Sequence, residues 1–358
     1  MLSGALIPDN NRIADYFSRK LGADCKTLSV KQSFPGISRQ TWLLKMEVSG
    51  EEQGFVLRFD PPWGASVPQS LKHEWLVYSH LWRTAIPVAE ALWYEDGQDF
   101  LGGLPLMVRR FVDGSPGIPG LAENSAQGRK LRRRVADEHV EQLARLHLLD
   151  WKAHGFGDFL NPPEAPGQSF RKEFDYWSRF WRTNKTAPFP VISEALYWLE
   201  DNIPQDTPRI SLVKGNNGVG EEIWSPDGRI VAFSDFELAT LGDSAMDLAF
   251  SQGTLELCNF DASIRYYEQC VGHSVSPERL AFAGFWIKFK AIACLNCCLM
   301  RGFLARNDPR LAPAAFELTS AKAYEHQLAA AMGRNIVEAW AEVSGRERGS
   351  YASLGGQS

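Results

Sequence analysis

The segment LVKGNNGVGEE, residues 212–222, gathers three glycines, two side-chain amides and two adjacent acids in one short stretch. Gly215, Gly218 and Gly220 can take positive φ, so a loop of this composition can bring its backbone close to an anion. EEIWSPDGRIVAFSD follows as a hairpin, in which the Pro-Asp-Gly turn at 226–228 separates two short apolar strands and the second strand runs into Asp235. A second turn, SFPGISRQT at 33–41, holds Gly36, Ser38 and Arg39, which suit phosphate oxygens through backbone N–H groups and a cation. An ordinary hairpin turn accounts for the same residues.

These segments need a scaffold, and length sets its scale. At 358 residues the chain exceeds what one ordinary core takes up, so two lobes with a cleft are expected. Apolar residues make up 44% and charged residues 23%, near the averages for folded proteins, which excludes disorder over most of the length. A net charge of −5 gives no general attraction to polyanions, so the expected partner is a small molecule, not nucleic acid or a membrane. The N-terminal residues lack a basic stretch followed by an apolar run, and the expected location is cytoplasmic. Cys294, Cys297 and Cys298 fall in the apolar run AFAGFWIKFKAIACLNCCLM, which Lys288 and Lys290 interrupt. That pattern predicts a buried amphipathic helix in which cysteine acts as a small hydrophobe, since no second ligand pair for zinc follows.

Period-two apolar patterns predict strands at 27–33, 40–48 and 54–59, apolar runs suggest further strands at 90–94 and 104–112, and helical spacing predicts one helix over 69–83. After Gly114 the patterns turn helical, at 130–149, 169–183, 190–202, 243–258, 261–271, 276–305 and 313–341, with the hairpin as the one clear β element. The expected organisation is a small β N-lobe over 1–113, a mainly helical C-lobe over 114–345 and a disordered tail over 346–358.

A small antiparallel sheet with one helix, a hinge and a helical lobe holding a hairpin resembles the protein-kinase-like fold, an α+β arrangement. Local matches point to the aminoglycoside phosphotransferase family. FVLRFDPP resembles that family's third strand, and LKHEWLVYSHLW resembles the helix after it. VAFSDFELATLGDSAMDLAF, 231–250, resembles its metal-binding segment almost throughout, and QLARLHLLDWKAHGFGDF is similar to the subgroup fused to some acyl-CoA dehydrogenases. The resemblance implies ATP and Mg²⁺ as cofactors, Arg58 on the nucleotide phosphates with Glu74 pairing it, and Ser38 and Gly36 in the phosphate-covering loop. It implies Val108 to Phe111 at the adenine edge, although Arg109 and Arg110 depart from the family's hinge. Asp235 takes the position of the metal-binding acid, Asp247 that of the acid accepting N–H bonds from the catalytic loop, and Asp243 and Glu237 serve a helix start and local bonding. His147 is read as a packed structural histidine.

The catalytic loop departs from the family's L-V-H-G-D-x-x-x-x-N. Lys214 stands for the histidine, Asn216 for the base aspartate and Glu221 for the metal-binding asparagine. An amide cannot take a proton as a carboxylate does, which costs typically ~10²–10⁴-fold in rate. Glu221 preserves metal binding, because a carboxylate is the better hard-cation ligand. Lys214 either contacts a transferred phosphoryl group or pairs with Glu221. The expected function is phosphoryl transfer to a hydroxyl of a small molecule, with Asn216 and Lys214 at the acceptor end, and the subgroup resemblance points to an acyl thioester as that molecule. The alternatives are a pseudokinase that binds without transfer and a nucleotidyl transfer. RKLRRR at 129–134 either meets coenzyme phosphates or is a solvated helix start, and no acidic rim for a polycationic antibiotic is found.

Overall fold

The computed structural model describes residues 8–33, 38–61, 64–97, 99–300, 304 and 318–344. A helix absent from the sequence reading comes first: α1, Asn10–Leu21, opened by the Asp9 carboxylate accepting the N–H groups of Asn11 and Arg12 and closed at Gly22 in the left-handed region. Ile13, Tyr16 and Phe17 recur at helical spacing and are buried against the sheet. The expectation of one helix in the N-lobe is corrected to two, and the cap and spacing that mark the first were present in the chain.

The sheet is formed by β1 (Cys25–Gln32), β2 (Gln40–Val48), β3 (Glu51–Phe59), β4 (Ala91–Glu95) and β5 (Leu106–Arg110), all pairs antiparallel in the order β1-β2-β3-β5-β4. Alternation along β3 sends Phe55, Leu57 and Phe59 into the N-lobe core, while Val56 and Arg58 line the cleft. Helix α2, Leu71–Leu81, is capped by Ser70 accepting from the His73 N–H. Its Leu71, Val77, Tyr78 and Leu81 join the larger C-lobe core, so α2 ties the two lobes together.

The C-lobe comprises α3 (Ala126–Leu148), α4 (Ser169–Asn184), α5 (Pro190–Asp201), α6 (Ala245–Phe250), α7 (Gln252–Leu255), α8 (Phe260–Val271), α9 (Pro277–Cys294), α10 (Leu318–Ala331) and α11 (Ile336–Val343). The stretches expected as single helices at 243–258 and 313–341 each divide, the first at Ser251 and the second around Gly333. Helix α9 ends sooner than expected and passes into a π-helical turn, Leu295–Met300. The stretch Pro277–Met300 is long and apolar enough to cross a membrane, yet it is largely buried in the C-lobe beside α6, α10 and α11. Trp177 and Trp181 of α4 and Trp286 and Phe289 of α9 fill the space between these helices. None of the six cysteines is in a disulfide.

The hairpin forms as expected from β7 (Glu222–Trp224) and β8 (Ile230–Phe233). A second pair was not expected: β6 (Ser211–Val213) with β9 (Thr240–Gly242). Strands of three residues show too little alternation to be read from sequence, and this pairing joins segments about thirty residues apart. Bridges from Val88 to Phe233 and from Ser115 to Trp224 tie the hairpin to the segments on either side of the hinge.

Candidate active site

Asp247, in the first turn of α6, organises the loop after β6. Its carboxylate accepts the Lys214 and Gly215 N–H groups, each at 2.7 Å, and the Asn217 amide at 2.6 Å. His147 of α3 meets the same carboxylate at 3.0 Å through Nε2 and Tyr267 at 2.8 Å through Nδ1. Burial alone would raise the Asp247 pKa, but His147 and the backbone donors bring it below the usual carboxylate range. Gly215 holds φ at +86°, and a Cβ there would lie 2.5 Å from the Leu238 carbonyl oxygen, so the turn admits only glycine. Three further N–H groups of the loop are taken by protein acceptors: Gly218 donates to Glu222 at 2.7 Å, Val219 to Thr254 at 2.9 Å and Gly220 to the Pro116 carbonyl at 3.0 Å. These glycines therefore serve the loop's own shape, where the sequence suggested an anion cradle.

Asn216 is carried by this loop to the cleft floor. Its Nδ2 donates to Asp235 Oδ2 at 2.5 Å and to Glu221 Oε2 at 3.1 Å. Asp235 follows β8 in the left-handed region at φ +62°, an uncommon conformation for a non-glycine residue that aims its carboxylate back into the cleft. Burial raises its pKa, but Arg58, Lys214 and the Asn216 hydrogen bond outweigh this and hold it low. Glu221 shifts upward, through burial first and the Asp235 charge second. Lys214 makes no ion pair with Glu221 among the described residues, although its charge acts on both Glu221 and Asp235. Its buried ammonium donates to the Asn216 carbonyl and lies 5.6 Å from the centre of the Phe236 ring, beneath the loop and away from the cleft lining. Glu222 faces away from Glu221, buried beside His139 at 3.7 Å, and burial pushes its pKa up to about 8.

Above the floor, Arg58 Nη1 stands 3.0 Å from Glu74 Oε1, the pairing expected from sequence. Both Glu74 oxygens lack an aligned hydrogen-bond donor, so this contact is mainly Coulombic. Arg58 Nη2 also reaches Asp235 at 3.1 Å and Glu237 at 3.0 Å. Glu237 is more than a local bonding residue. Its Oε2 accepts from Ser38 and Arg39, each at 2.8 Å, so it ties the turn after β1 to the C-lobe, and burial together with Asp235 raises its pKa. Arg39 is fully buried and salt-bridged to Asp60 at 2.7 Å, which leaves no free cation for phosphate at that position. Gly36 lies outside the described residues. The Val108 side chain packs in the N-lobe core and its strand pairs on both sides, while the Phe111 N–H is taken by the Gly54 carbonyl at 3.0 Å. Phe111, Val112 and Gly114 line the cleft.

The cleft between the lobes encloses about 820 Å³. One wall lay beyond sequence reasoning: Ala291, Cys294, Leu295 and Leu299 of α9 and its π turn, with Tyr324 of α10. Helical periodicity placed these residues in a helix, but not beside the hairpin.

A five-stranded antiparallel lobe over a helical lobe, with a loop and hairpin presenting acids to the cleft between them, defines a protein-kinase-like fold. The model of the phosphotransferase enzyme family, APH, matches residues 33–267, well over half of the chain, and this chain belongs to that family. It is 28% identical over 284 residues to acyl-CoA dehydrogenase family member 11 of Gallus gallus, covering 71% of this chain and 34% of that protein. It is 24% identical over 223 residues to acyl-CoA dehydrogenase family member 10 of Mus musculus, covering 60% of this chain and 19% of that protein. The chain thus spans about a third or less of the length of these relatives. Among solved structures, a thermostable mutant of aminoglycoside phosphotransferase APH(4)-Ia in ternary complex with ADP and hygromycin B aligns at a TM-score of 0.58 and 17% identity, covering 91% of this chain and 98% of that one. Macrolide 2'-phosphotransferase MphH of Brachybacterium faecium aligns at a TM-score of 0.54 and 18% identity, covering 86% and 98%. These likenesses establish the fold.

Proposed function

We propose that this protein is an ATP- and Mg²⁺-dependent phosphotransferase acting on a hydroxyl of a small molecule. The observation that carries this reading is the convergence of Asp235 Oδ2 and Glu221 Oε2 on one amide nitrogen, at 2.5 and 3.1 Å, beneath the Arg58–Glu74 pair. Two carboxylate oxygens beside a side-chain amide form a hard-oxygen donor set, which fits magnesium. Magnesium bound there would neutralise charge on the phosphate oxygens. Arg58, held by Glu74, binds the phosphates, and Asn216 orients the acceptor hydroxyl. In the transfer the hydroxyl oxygen gains the phosphoryl group as the bond to the ADP oxygen breaks, and the hydroxyl proton departs to phosphate or water. Positioning and electrostatics carry most of the acceleration in such reactions, so an amide at position 216 is compatible with turnover.

The apolar wall of Ala291, Leu295 and Leu299 suits an acceptor with an aliphatic part, and the relatives named for acyl-CoA dehydrogenases support an acyl thioester. The two hydrophobic cores support an N-lobe over 1–113 and a C-lobe over 114–345, joined near Gly114. Six cysteines without a disulfide suit a reducing compartment such as the cytoplasm. A second reading, a module that binds nucleotide without transfer, is favoured by the amide at position 216.

Calorimetric titration of ATP with and without Mg²⁺, followed by product analysis over hydroxylated acceptors, separates the two. Metal-dependent binding with turnover that Asp235→Ala abolishes is the expected result. Tight binding with no turnover on any acceptor would favour the module.

A further inference from the structure

Lys288 lies on α9 between two aromatic rings. Its ammonium is 5.2 Å from the centre of Tyr324 on α10 and 5.1 Å from that of Trp340 on α11. The fit depends on Gly284 one turn earlier, where a Cβ would meet Trp340 ring atoms at 2.2 Å. Any larger residue would push the indole off the helix. No carboxylate pairs with Lys288 among the described residues, and burial alone brings its pKa down to about 8, so the group is still largely charged at neutral pH. This half-buried cation has ring faces and, among the described residues, no counter-ion.

Its place on the helix connects it to the cleft. Residues 288, 291 and 295 fall on one face of a helical repeat, and Ala291 and Leu295 line the cleft with Leu299 and Tyr324. Tyr324 is thus shared: it closes the apolar wall and covers the ammonium. Beyond the wall stands one positive charge, half-buried and, among the described residues, without an acid.

We propose that Lys288 with Tyr324 and Trp340 forms the anion subsite for the acceptor. The acceptor class is then an amphiphile, with an apolar segment along Ala291, Leu295 and Leu299 and an anionic group held by Lys288. This rests on the phosphotransferase reading for its occupant but not for its chemistry. The anion is the carboxylate of a free acid or a phosphate of a coenzyme thioester, and both present oxygens to the same ammonium.

The test uses the full chain and three probes of one aliphatic length: decanol, decanoate and decanoyl-CoA, titrated by calorimetry, with ATP titrated in parallel. The wild type is expected to bind at least one anionic probe tenfold or more tighter than decanol. Preference for decanoate assigns the carboxylate source, and preference for decanoyl-CoA alone assigns the phosphate source. Lys288→Met, which keeps the aliphatic stem, is expected to erase the preference, and Lys288→Arg to keep it, with ATP affinity unchanged in both. Lys288→Gln serves if the methionine variant does not fold. Equal affinity of the wild type for all three probes, binding of none, or an anionic preference that survives Lys288→Met in a folded protein overturns the inference. Loss of ATP binding in the wild type would instead strike the phosphotransferase reading, leaving the probe comparison intact.

Discussion

The Asn216 amide nitrogen donates to Asp235 Oδ2 at 2.5 Å, and the same nitrogen reaches Glu221 at 3.1 Å, so one neutral group separates two carboxylates. Asn216→Asp would place a third negative charge in that gap. Like charges at this spacing disfavour ionisation and cost stability. The expected result in EDTA is a melting temperature lower by several degrees, on the order of 1–3 kcal/mol, recovered on adding Mg²⁺. Turnover is expected to fall tenfold or more, and Asn216→Asp combined with Glu221→Asn is expected to recover part of it. A single variant that turns over faster than the wild type would mean that position 216 has simply lost a base.

Arg58 bridges acids from both lobes, touching Glu74, Asp235 and Glu237 at 3.0 to 3.1 Å. Arg58→Met keeps volume and removes the charge. Arg39 remains within 2.8 Å of Glu237 and 3.7 Å of Glu74, which leaves Asp235 as the acid most exposed to the loss. Breaking such a buried network costs about 3–5 kcal/mol, to be read from urea denaturation. Nucleotide affinity is expected to drop at least tenfold, with Arg58→Lys intermediate. Unchanged nucleotide affinity in a folded Arg58→Met protein would remove Arg58 from the phosphate site.

His139 is buried beneath the loop, with Nε2 2.8 Å from the Ser251 hydroxyl, and burial followed by the Lys214 charge lowers its pKa to about 3. A histidine depressed below its unfolded value of about 6.5 supports the fold fully above that pH. Its contribution is lost as pH falls toward the folded value, because the unfolded chain binds the extra proton. Between about pH 6 and pH 4 the wild type should therefore lose up to about 1.4 kcal/mol per pH unit from this group. His139→Gln should show a shallower acid slope in denaturation series at fixed pH. Equal slopes for the two proteins would place the acid sensitivity elsewhere.

Local composition determined much of this protein. Period-two patterning marked three strands of the N-lobe and apolar runs two more, the Pro-Asp-Gly turn marked the hairpin, and the run from Val231 to Phe250 marked the family. Those signals survive in one dimension because strand alternation, turn chemistry and motif spacing involve residues near each other in the chain. Helix α1 was equally legible, in Asp9, Gly22 and the spacing of Ile13, Tyr16 and Phe17. Side-chain direction was decided only by the tertiary structure. Lys214 turned under the loop toward a carbonyl and a ring, Arg39 and Glu237 met across 198 residues of sequence, and α9 brought an apolar wall to the cleft, with Lys288 about a turn earlier on the same helix face. Such contacts depend on which buried charges find partners and which helix faces meet when the lobes pack. Those outcomes are settled by burial and electrostatics over the whole fold, and no spacing in the chain encodes them.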